Sequence, residues 1–314
     1  MELKRKQTFY ELLIFVVMIF WGLGFPFTIM ALNAGYEPLT IIFFRFLIGS
    51  ICLTIFFFKR LKNIDKKSLL GGLLLGVLIF VSFYFQIAGQ KFTSAANTAF
   101  ITQLSIVIVP IAWAYLKKEK INIKKIIVIL FALVGLIILT MTGNGFSMPN
   151  KGDFMILACM IFISVRLIFS SLFQIKNKVD PIVITLVSQY TVMILAGVST
   201  LLFEEVPSIT FKGFWPILIL GLVNTAICFT IQTVALKYLK PEKVSLINSL
   251  ESVVGTIASI WLVNQPLTIN VVIGGLFILL AILISELHLH FVKIRRPSHK
   301  TFHIGNISKN KKNI

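Results

Sequence analysis

Long apolar runs alternate with short gaps along the whole chain, and this pattern constrains the fold more than any other feature. The runs cover roughly residues 10–32, 39–58, 69–90, 94–116, 126–142, 153–174, 182–203, 213–236, 242–263 and 269–291. Each has about the twenty residues that an α-helix needs to cross ~30 Å of hydrocarbon. The pattern predicts an all-α integral membrane protein with ten transmembrane helices. The composition, 57% apolar with only 13% charged residues, excludes a soluble domain.

The gaps alternate between rich and poor in lysine and arginine. Of the 30 basic residues, 25 lie at the termini and in every second gap, three lie in the other gaps, and two lie inside apolar runs. Because cytoplasmic loops carry the excess of basic residues, both termini are predicted to be cytoplasmic in the plasma (inner) membrane. The net charge of +18 is spread over short loops and a tail. It favours contact with the lipid bilayer and no nucleic-acid partner.

The two halves of the chain are related by an offset of 146 residues. This offset lays Phe83, Gln86 and Lys91 on Phe229, Gln232 and Lys237. It also pairs the helix starts predicted at Ala95 and Pro241, and proline is favoured at the first helical position.

Five spans form each unit, and an odd number places the second unit upside down relative to the first. We therefore predict a first five-helix repeat at residues 1–142, a second, inverted five-helix repeat at 143–293 and a basic cytoplasmic tail at 294–314. Inverted repeats typically hold a substrate site between them near the midplane and work by alternating access. The organisation predicts a transporter.

Several short motifs resemble the EamA type of the drug/metabolite transporter superfamily. They are the segment 20–27 (FWGLGFPF), Arg45-Phe46, and Pro241 followed by Val244-Ser245-Leu246 and Leu250-Glu251. The resemblance extends from residue 10 to 291. It implies export or exchange of small metabolites, commonly amino acids, through a central cavity lined mainly by spans one, three, four, six, eight and nine.

A charge at the centre of an apolar run costs about 2.5–3.5 kcal/mol on insertion scales, and three charged residues inside runs are candidates for a function. Glu251 lies near the middle of span nine, where burial favours the neutral form, so it is either a proton carrier or a structural carboxylate. Arg166, in span six, either binds a substrate carboxylate or pairs with Glu251 or reaches toward the cytoplasm. Arg45, close to the start of span two, is predicted to be a structural charge near the outer interface.

Uncharged polar residues form stripes at helical spacing in spans four and nine, and further ones lie in spans three and eight. Such stripes indicate either close helix–helix seams or a wet central cavity. The cavity interpretation places Trp21, Tyr84, Gln86, Thr98, Thr102, Arg166, Asn224, Gln232, Asn248 and Ser252 around the substrate.

These observations predict a secondary transporter, or permease, of small polar metabolites, most favourably an exporter of amino acids or related compounds. An uptake carrier for sugars, nucleosides or other metabolites is the alternative, and an intramembrane enzyme or a passive channel is disfavoured. The motifs HExxH, GxSxG and the Walker loop are absent, and the four histidines lie in residues 288–303. We therefore expect no metal and no cofactor, with protons as a candidate coupling ion, in a monomer or homodimer.

Overall fold

The structure, a computed structural model, describes residues 2–62, 64–119, 121–140, 150–205, 210–264 and 269–292. These residues form helices and no strand. The helices are α1 (Glu2–Asn33), α2 (Pro38–Leu61), α3 (Lys66–Gln90), α4 (Ala95–Gln103), α5 (Ser105–Lys117), α6 (Ile123–Thr140), α7 (Lys151–Asn177), α8 (Pro181–Phe203), α9 (Phe211–Ile219), a π-helix (Leu220–Ile227), α10 (Cys228–Ala235), α11 (Pro241–Asn248), α12 (Leu250–Leu262) and α13 (Ile269–Val292). The predicted all-α class is confirmed for this part of the chain.

Each of the ten predicted spans corresponds to one helical stretch. Eight stretches of the described chain are long and apolar enough to cross a membrane. The other two, Lys125–Gly135 within α6 and Val272–Ala281 within α13, are apolar but shorter. Large apolar side chains such as Ile55, Phe56 and Leu201 point outward, 68%, 75% and 82% exposed, as expected for a surface that faces lipid.

Local sequence signals set several helix starts. Pro38, Pro181 and Pro241 occupy the first position of α2, α8 and α11, where the missing N–H costs no hydrogen bond. The starts predicted at Ala95 and Pro241 are confirmed. Asp65 caps α3 by accepting a 2.9 Å hydrogen bond from the backbone N–H of Ser68. Hydrogen bonds from the Ser68 side chain and backbone hold the pKa of the Asp65 carboxyl below its usual value.

Three spans are not uniform α-helices. Leu104 separates α4 from α5 in span four, and Ser249 separates α11 from α12 in span nine. These interruptions fall within one residue of equivalence under the 146-residue offset. In span eight the π-helix joins α9 to α10, and π-helical turns are frequent at functional sites.

The main helix pairings join the two halves of the chain. Helix α3 packs on α7 and α8, α2 packs on α8 and the π-helix, α1 packs on α12, and α6 packs on α13. Span four runs alongside span nine, with α4 against α12 and α5 against α11. The largest apolar cluster lies between the halves, around Phe46, Leu75, Ile79 and Phe229.

Ion pairs mark the two ends of the bundle. Four of them join segments next to basic-rich gaps: Arg60–Asp180 at 2.6 Å, Lys125–Glu242 at 2.6 Å, Lys240–Glu119 at 3.1 Å and Lys243–Glu11 at 2.5 Å. A fifth, Lys91–Glu37 at 2.6 Å, joins two basic-poor gaps. We call the end that holds the first four pairs the basic-rich end and the end that holds the fifth the basic-poor end. The alternation of charge in the sequence is thus reproduced as a separation in space.

Candidate functional site

A cavity lies in the middle of the bundle and extends toward the basic-poor end. Eight of the residues singled out from the sequence line it: Trp21, Arg45, Gln86, Thr102, Arg166, Asn224, Asn248 and Glu251. They come from α1, α2, α3, α4, α7, the π-helix, α11 and α12. Gln90 and Thr28, near the basic-poor ends of α3 and α1, also line it. Both halves of the chain therefore contribute to one site.

Four residues expected in the cavity lie outside its lining. Tyr84 is 38% exposed on α3, because residues 83, 86 and 90 share a helical face that excludes it. Thr98 and Ser252 are fully buried, and their hydroxyls donate to the carbonyls of Ser94 and Ser249 in their own chain segments, at 2.9 and 2.7 Å. Gln232 is also fully buried, directly behind Arg166. Thus Thr98 and Ser252 belong to a packed seam, whereas Thr102 and Asn248 face the cavity.

Arg45, which the sequence predicted to be a structural charge near the outer interface, lines the cavity. Its side chain is 5% exposed, and its guanidinium carbon stands 4.5 Å from the centroid of the Phe83 ring. Its Nε donates a 2.6 Å hydrogen bond to Oγ1 of Thr225 in the π-helix. Helix α2 packs on α8 and the π-helix, so a residue two turns from its start faces the interior of the bundle.

Carbonyl oxygens of the π-helix accept hydrogen bonds from one of its own side chains and from side chains of neighbouring helices. The Leu220 carbonyl accepts from the Thr225 hydroxyl at 2.9 Å, and the Thr225 carbonyl accepts from Gln189 of α8 at 2.9 Å. The Asn224 carbonyl accepts from the Trp21 indole N–H at 2.8 Å. The Asn224 side-chain amide in turn donates a 2.8 Å hydrogen bond to the Phe20 carbonyl of α1. The π-helix is thereby bonded to α1, α2 and α8.

Arg166 is the second buried cation of the site. It is 6% exposed, and its Nη1 donates a 2.8 Å hydrogen bond to Oε1 of Gln232. Its guanidinium carbon lies 5.2 Å from the centroid of the Phe229 ring. The Phe83 and Phe229 rings, which the 146-residue offset makes equivalent, are 5.8 Å apart. Each arginine therefore stands over one of two adjacent, repeat-related aromatic rings.

Glu251 is the one carboxylate among the lining residues. Its Oε2 accepts a 3.1 Å hydrogen bond from Nε2 of Gln103, and the side chain is partly exposed to the cavity. It forms no ion pair within 4 Å with Arg45 or Arg166, so the Arg166–Glu251 pair, one of the alternatives for Arg166, is not formed as a direct contact. Both signs of charge are present in the cavity but remain separate.

Several buried amide atoms in the wall have no hydrogen-bond partner in the described part of the chain. They are Nε2 of Gln90, Oε1 of Gln103 and Oδ1 of Asn248. A buried polar atom left unpaired costs about 1–3 kcal/mol, so such atoms are suited to binding a polar ligand. Gln103 is a lining residue that the polar pattern did not single out, although it directly follows Thr102 in span four.

Metal-ligating residues do not cluster in the described segments, where no group of three or more His, Cys, Asp or Glu is found. Cys52, Cys159 and Cys228 are free thiols in three different helices. The tail at 294–314, with His299 and His303, lies outside the described residues. The side chains of His288 and His290 lie outside them too.

Comparison with known proteins gives matches over nearly the whole chain. The model of the EamA-like transporter family matches twice, at residues 8–141 and 150–287. An "Uncharacterized transporter" of Archaeoglobus fulgidus is 27% identical over 282 residues, covering 90% of this chain and 87% of the relative. The "Uncharacterized transporter YoaV" of Bacillus subtilis is 24% identical over 276 residues, covering 83% of this chain and 91% of the relative.

A solved structure described only as the crystal structure of a protein shares the fold. It superposes with a TM-score of 0.71 over 90% of this chain and 98% of its own, at 17% identity.

Proposed function

Because this chain belongs to the EamA-like transporter family, we propose that it is a secondary transporter that exports amino acids or related small polar metabolites by alternating access. The family makes it a membrane transporter and indicates that it is not an enzyme. The observation that carries the finer proposal is the central cavity, with its two arginines, one carboxylate and unpaired amides.

The charges of the cavity favour a zwitterionic substrate. Arg45 and Arg166 suit a carboxylate, whereas Glu251 and the free amide oxygens of Gln103 and Asn248 suit an ammonium group. A phosphorylated substrate would need several convergent cations, and the lining has two arginines. Trp21, Phe25 and Phe229 supply apolar surface for a side chain.

Alternating access is supported by the packing of the two halves. Spans three and eight are related by the 146-residue offset, and each packs against spans of the other half. Interruptions in spans four and nine lie next to Thr102 and Asn248, at the cavity. A pair of inverted units that rock about such a site is the arrangement expected of a transporter.

The basic-rich end is proposed to face the cytoplasm, so that both termini lie on the cytoplasmic side of the plasma membrane. Its loops carry most of the lysines and arginines. Cytoplasmic loops are generally rich in these residues, and anionic lipids of the cytoplasmic leaflet attract them. Protons are the proposed coupling ion, because Glu251 is the titratable acid that faces the cavity.

Counterflow in proteoliposomes tests this function. Vesicles that contain the purified protein are loaded with amino acids and, separately, with sugars and nucleosides, and the uptake of each labelled compound is followed. We expect saturable exchange of amino acids or related zwitterions. Exchange confined to sugars or nucleosides would reject the substrate class. The absence of any exchange by folded protein would reject the carrier mechanism.

A further inference from the structure

We infer that Arg45 and Arg166 together form a binding site for a carboxylate group of the transported molecule, in which the π-helix orients Arg45. This inference rests on the proposed function, which supplies the transported molecule. It assigns substrate binding to Arg45, a residue that its sequence position alone would make structural.

The two guanidinium groups have hydrogen-bonding capacity to spare. A guanidinium carries five N–H donors. In the described part of the chain Arg45 uses its Nε on Thr225, and Arg166 uses Nη1 on Gln232. Neither guanidinium group forms another hydrogen bond to a described residue, and no carboxylate oxygen of these residues lies within 4 Å of either group. The terminal nitrogens of Arg45 therefore remain available for a planar oxyanion.

The electrostatics of the cavity also call for an anion. Arg45 and Arg166 are 5% and 6% exposed, and their guanidinium groups stand over aromatic rings only 5.8 Å apart. Like charges repel strongly when water is largely excluded, and the single carboxylate of the lining leaves the site with an excess of one positive charge. One bound carboxylate removes this excess, and its flat, two-oxygen geometry matches the fork of a guanidinium.

The orientation of Arg45 is built into the chain. Thr225 accepts from Arg45 while donating to the Leu220 carbonyl, five residues back in the π-helix. Gly49, one turn after Arg45, allows this approach, because a Cβ there would lie 2.8 Å from Cγ2 of Thr225 and 2.9 Å from Oε1 of Gln189. The Thr225 carbonyl is in turn held by Gln189. This network directs the free face of the guanidinium toward the cavity.

The test measures binding to purified protein with matched pairs of probes. The probes are benzoate and benzamide, lactate and lactamide, and the standard amino acids with their amides. Apparent dissociation constants come from the dependence of thermal unfolding on probe concentration. We expect at least one carboxylate to bind wild-type protein about 10- to 100-fold more tightly than its amide, the range of a charge-assisted hydrogen bond.

The variants decide which residues are responsible. Arg45→Gln and Arg166→Gln are each expected to reduce this preference about 10- to 100-fold. Thr225→Val keeps the charge of Arg45 but removes the hydroxyl that accepts from its Nε and donates to the Leu220 carbonyl. Because Arg45 then loses its orientation and not its charge, this variant is expected to reduce the preference about 2- to 10-fold, even if the arginine variants fail to fold. Arg60→Gln, at an arginine that is half exposed at the basic-rich end, is the control and should leave it unchanged.

Two results would overturn the inference. One is a wild-type protein that prefers no carboxylate over its amide, and the other is a wild-type preference retained in folded Arg45→Gln and Thr225→Val. Failure of the transport proposal has a different signature. Carboxylate binding that depends on Arg45, without exchange in proteoliposomes, would support the anion site and reject the carrier function.

Discussion

The side chain of Gln103 donates a 3.1 Å hydrogen bond to the carboxylate of Glu251, across the contact between spans four and nine. Gln103 is the last residue of α4, next to the interruption at Leu104, and Glu251 follows the interruption at Ser249. Glu251, the one acid of the cavity lining, therefore belongs to one interrupted span and is hydrogen-bonded to the other. Movement at either interruption would change the surroundings of this carboxylate.

Replacement of Glu251 by Gln should remove the pH dependence of carboxylate binding. The other charged groups that face the cavity, Arg45 and Arg166, stay charged at ordinary pH. Protonation of Glu251 removes the negative charge of the lining, so binding of lactate should tighten as the pH falls, by at most about tenfold per pH unit for one coupled proton. The apparent dissociation constant is measured only at pH values where lactate stays ionised.

Glu119→Gln serves as the control for that experiment. Glu119 pairs with Lys240 at the basic-rich end and lies outside the cavity lining. A pH dependence that persists in Glu251→Gln, or that disappears in Glu119→Gln, would contradict the assignment of Glu251 as the proton site.

Trp21→Phe is expected to destabilise the fold. The indole N–H donates to the Asn224 carbonyl at 2.8 Å, and phenylalanine would remove this buried hydrogen bond. The expected loss is about 0.5–1.5 kcal/mol in the free energy of unfolding. Trp261→Phe is the matched control, because Trp261 is 82% exposed. Thermal unfolding in detergent compares the two, and equal melting temperatures would show that the Trp21 bond contributes nothing.

Gly22→Ala should separate α1 from α12. A Cβ at Gly22 would lie 2.7 Å from Cβ of Val254 and 2.9 Å from the backbone nitrogen of Gly255. Overpacking of this kind costs about 1–3 kcal/mol, measured as the change in unfolding free energy. At Gly275 the nearest atom would be 3.6 Å away, an ordinary contact, so Gly275→Ala should be tolerated. If both variants melt like wild type, the close approach of α1 and α12 is not required.

Lys243→Met is expected to open the basic-rich end. Lys243 pairs with Glu11 at 2.5 Å between α11 and α1, beside the stacked rings of Tyr10 and Tyr238, whose centroids are 4.8 Å apart. In a background with Cys52, Cys159 and Cys228 replaced by Ala, a cysteine introduced at the buried Ser245 reports access from this end. In Lys243→Met, labelling of this cysteine by a membrane-impermeant thiol reagent should rise several-fold. This is about the shift in population that the loss of one partly buried ion pair produces.

Arg60→Met is the control for the opening experiment. Arg60 pairs with Asp180 at the same end, but between α2 and α8, and its side chain is half exposed. Labelling at position 245 should stay at the wild-type level in this variant. Equal labelling in Lys243→Met and wild type would mean that the Glu11 pair does not hold this end closed.

Much of the architecture could be predicted from the sequence. Apolar runs of about twenty residues located the ten helical stretches, because a chain in lipid must satisfy its backbone hydrogen bonds within each span. The 146-residue offset related the starts at Ala95 and Pro241, which the structure confirms. The opposite orientation of the two units and the cytoplasmic location of the termini stay predictions.

The candidate site was predictable only in part. Trp21, Thr102, Arg166, Asn224, Asn248 and Glu251 were singled out because polar or aromatic groups inside spans need a reason to be there, and all line the cavity. Tyr84, Thr98, Gln232 and Ser252 had the same chemistry but face elsewhere. Periodicity identifies a helical face, but it does not identify which neighbouring helix covers that face.

The sequence by itself determined the number of helical spans, their apolar outer surface and the family, because these depend on local composition and order along the chain. Only the tertiary structure decided that Arg45 belongs to the cavity. Its position depends on a π-helix about 180 residues away in the chain, where the Thr225 hydroxyl meets its guanidinium. Contacts of that range are set by how helices pack against one another, which no local pattern encodes.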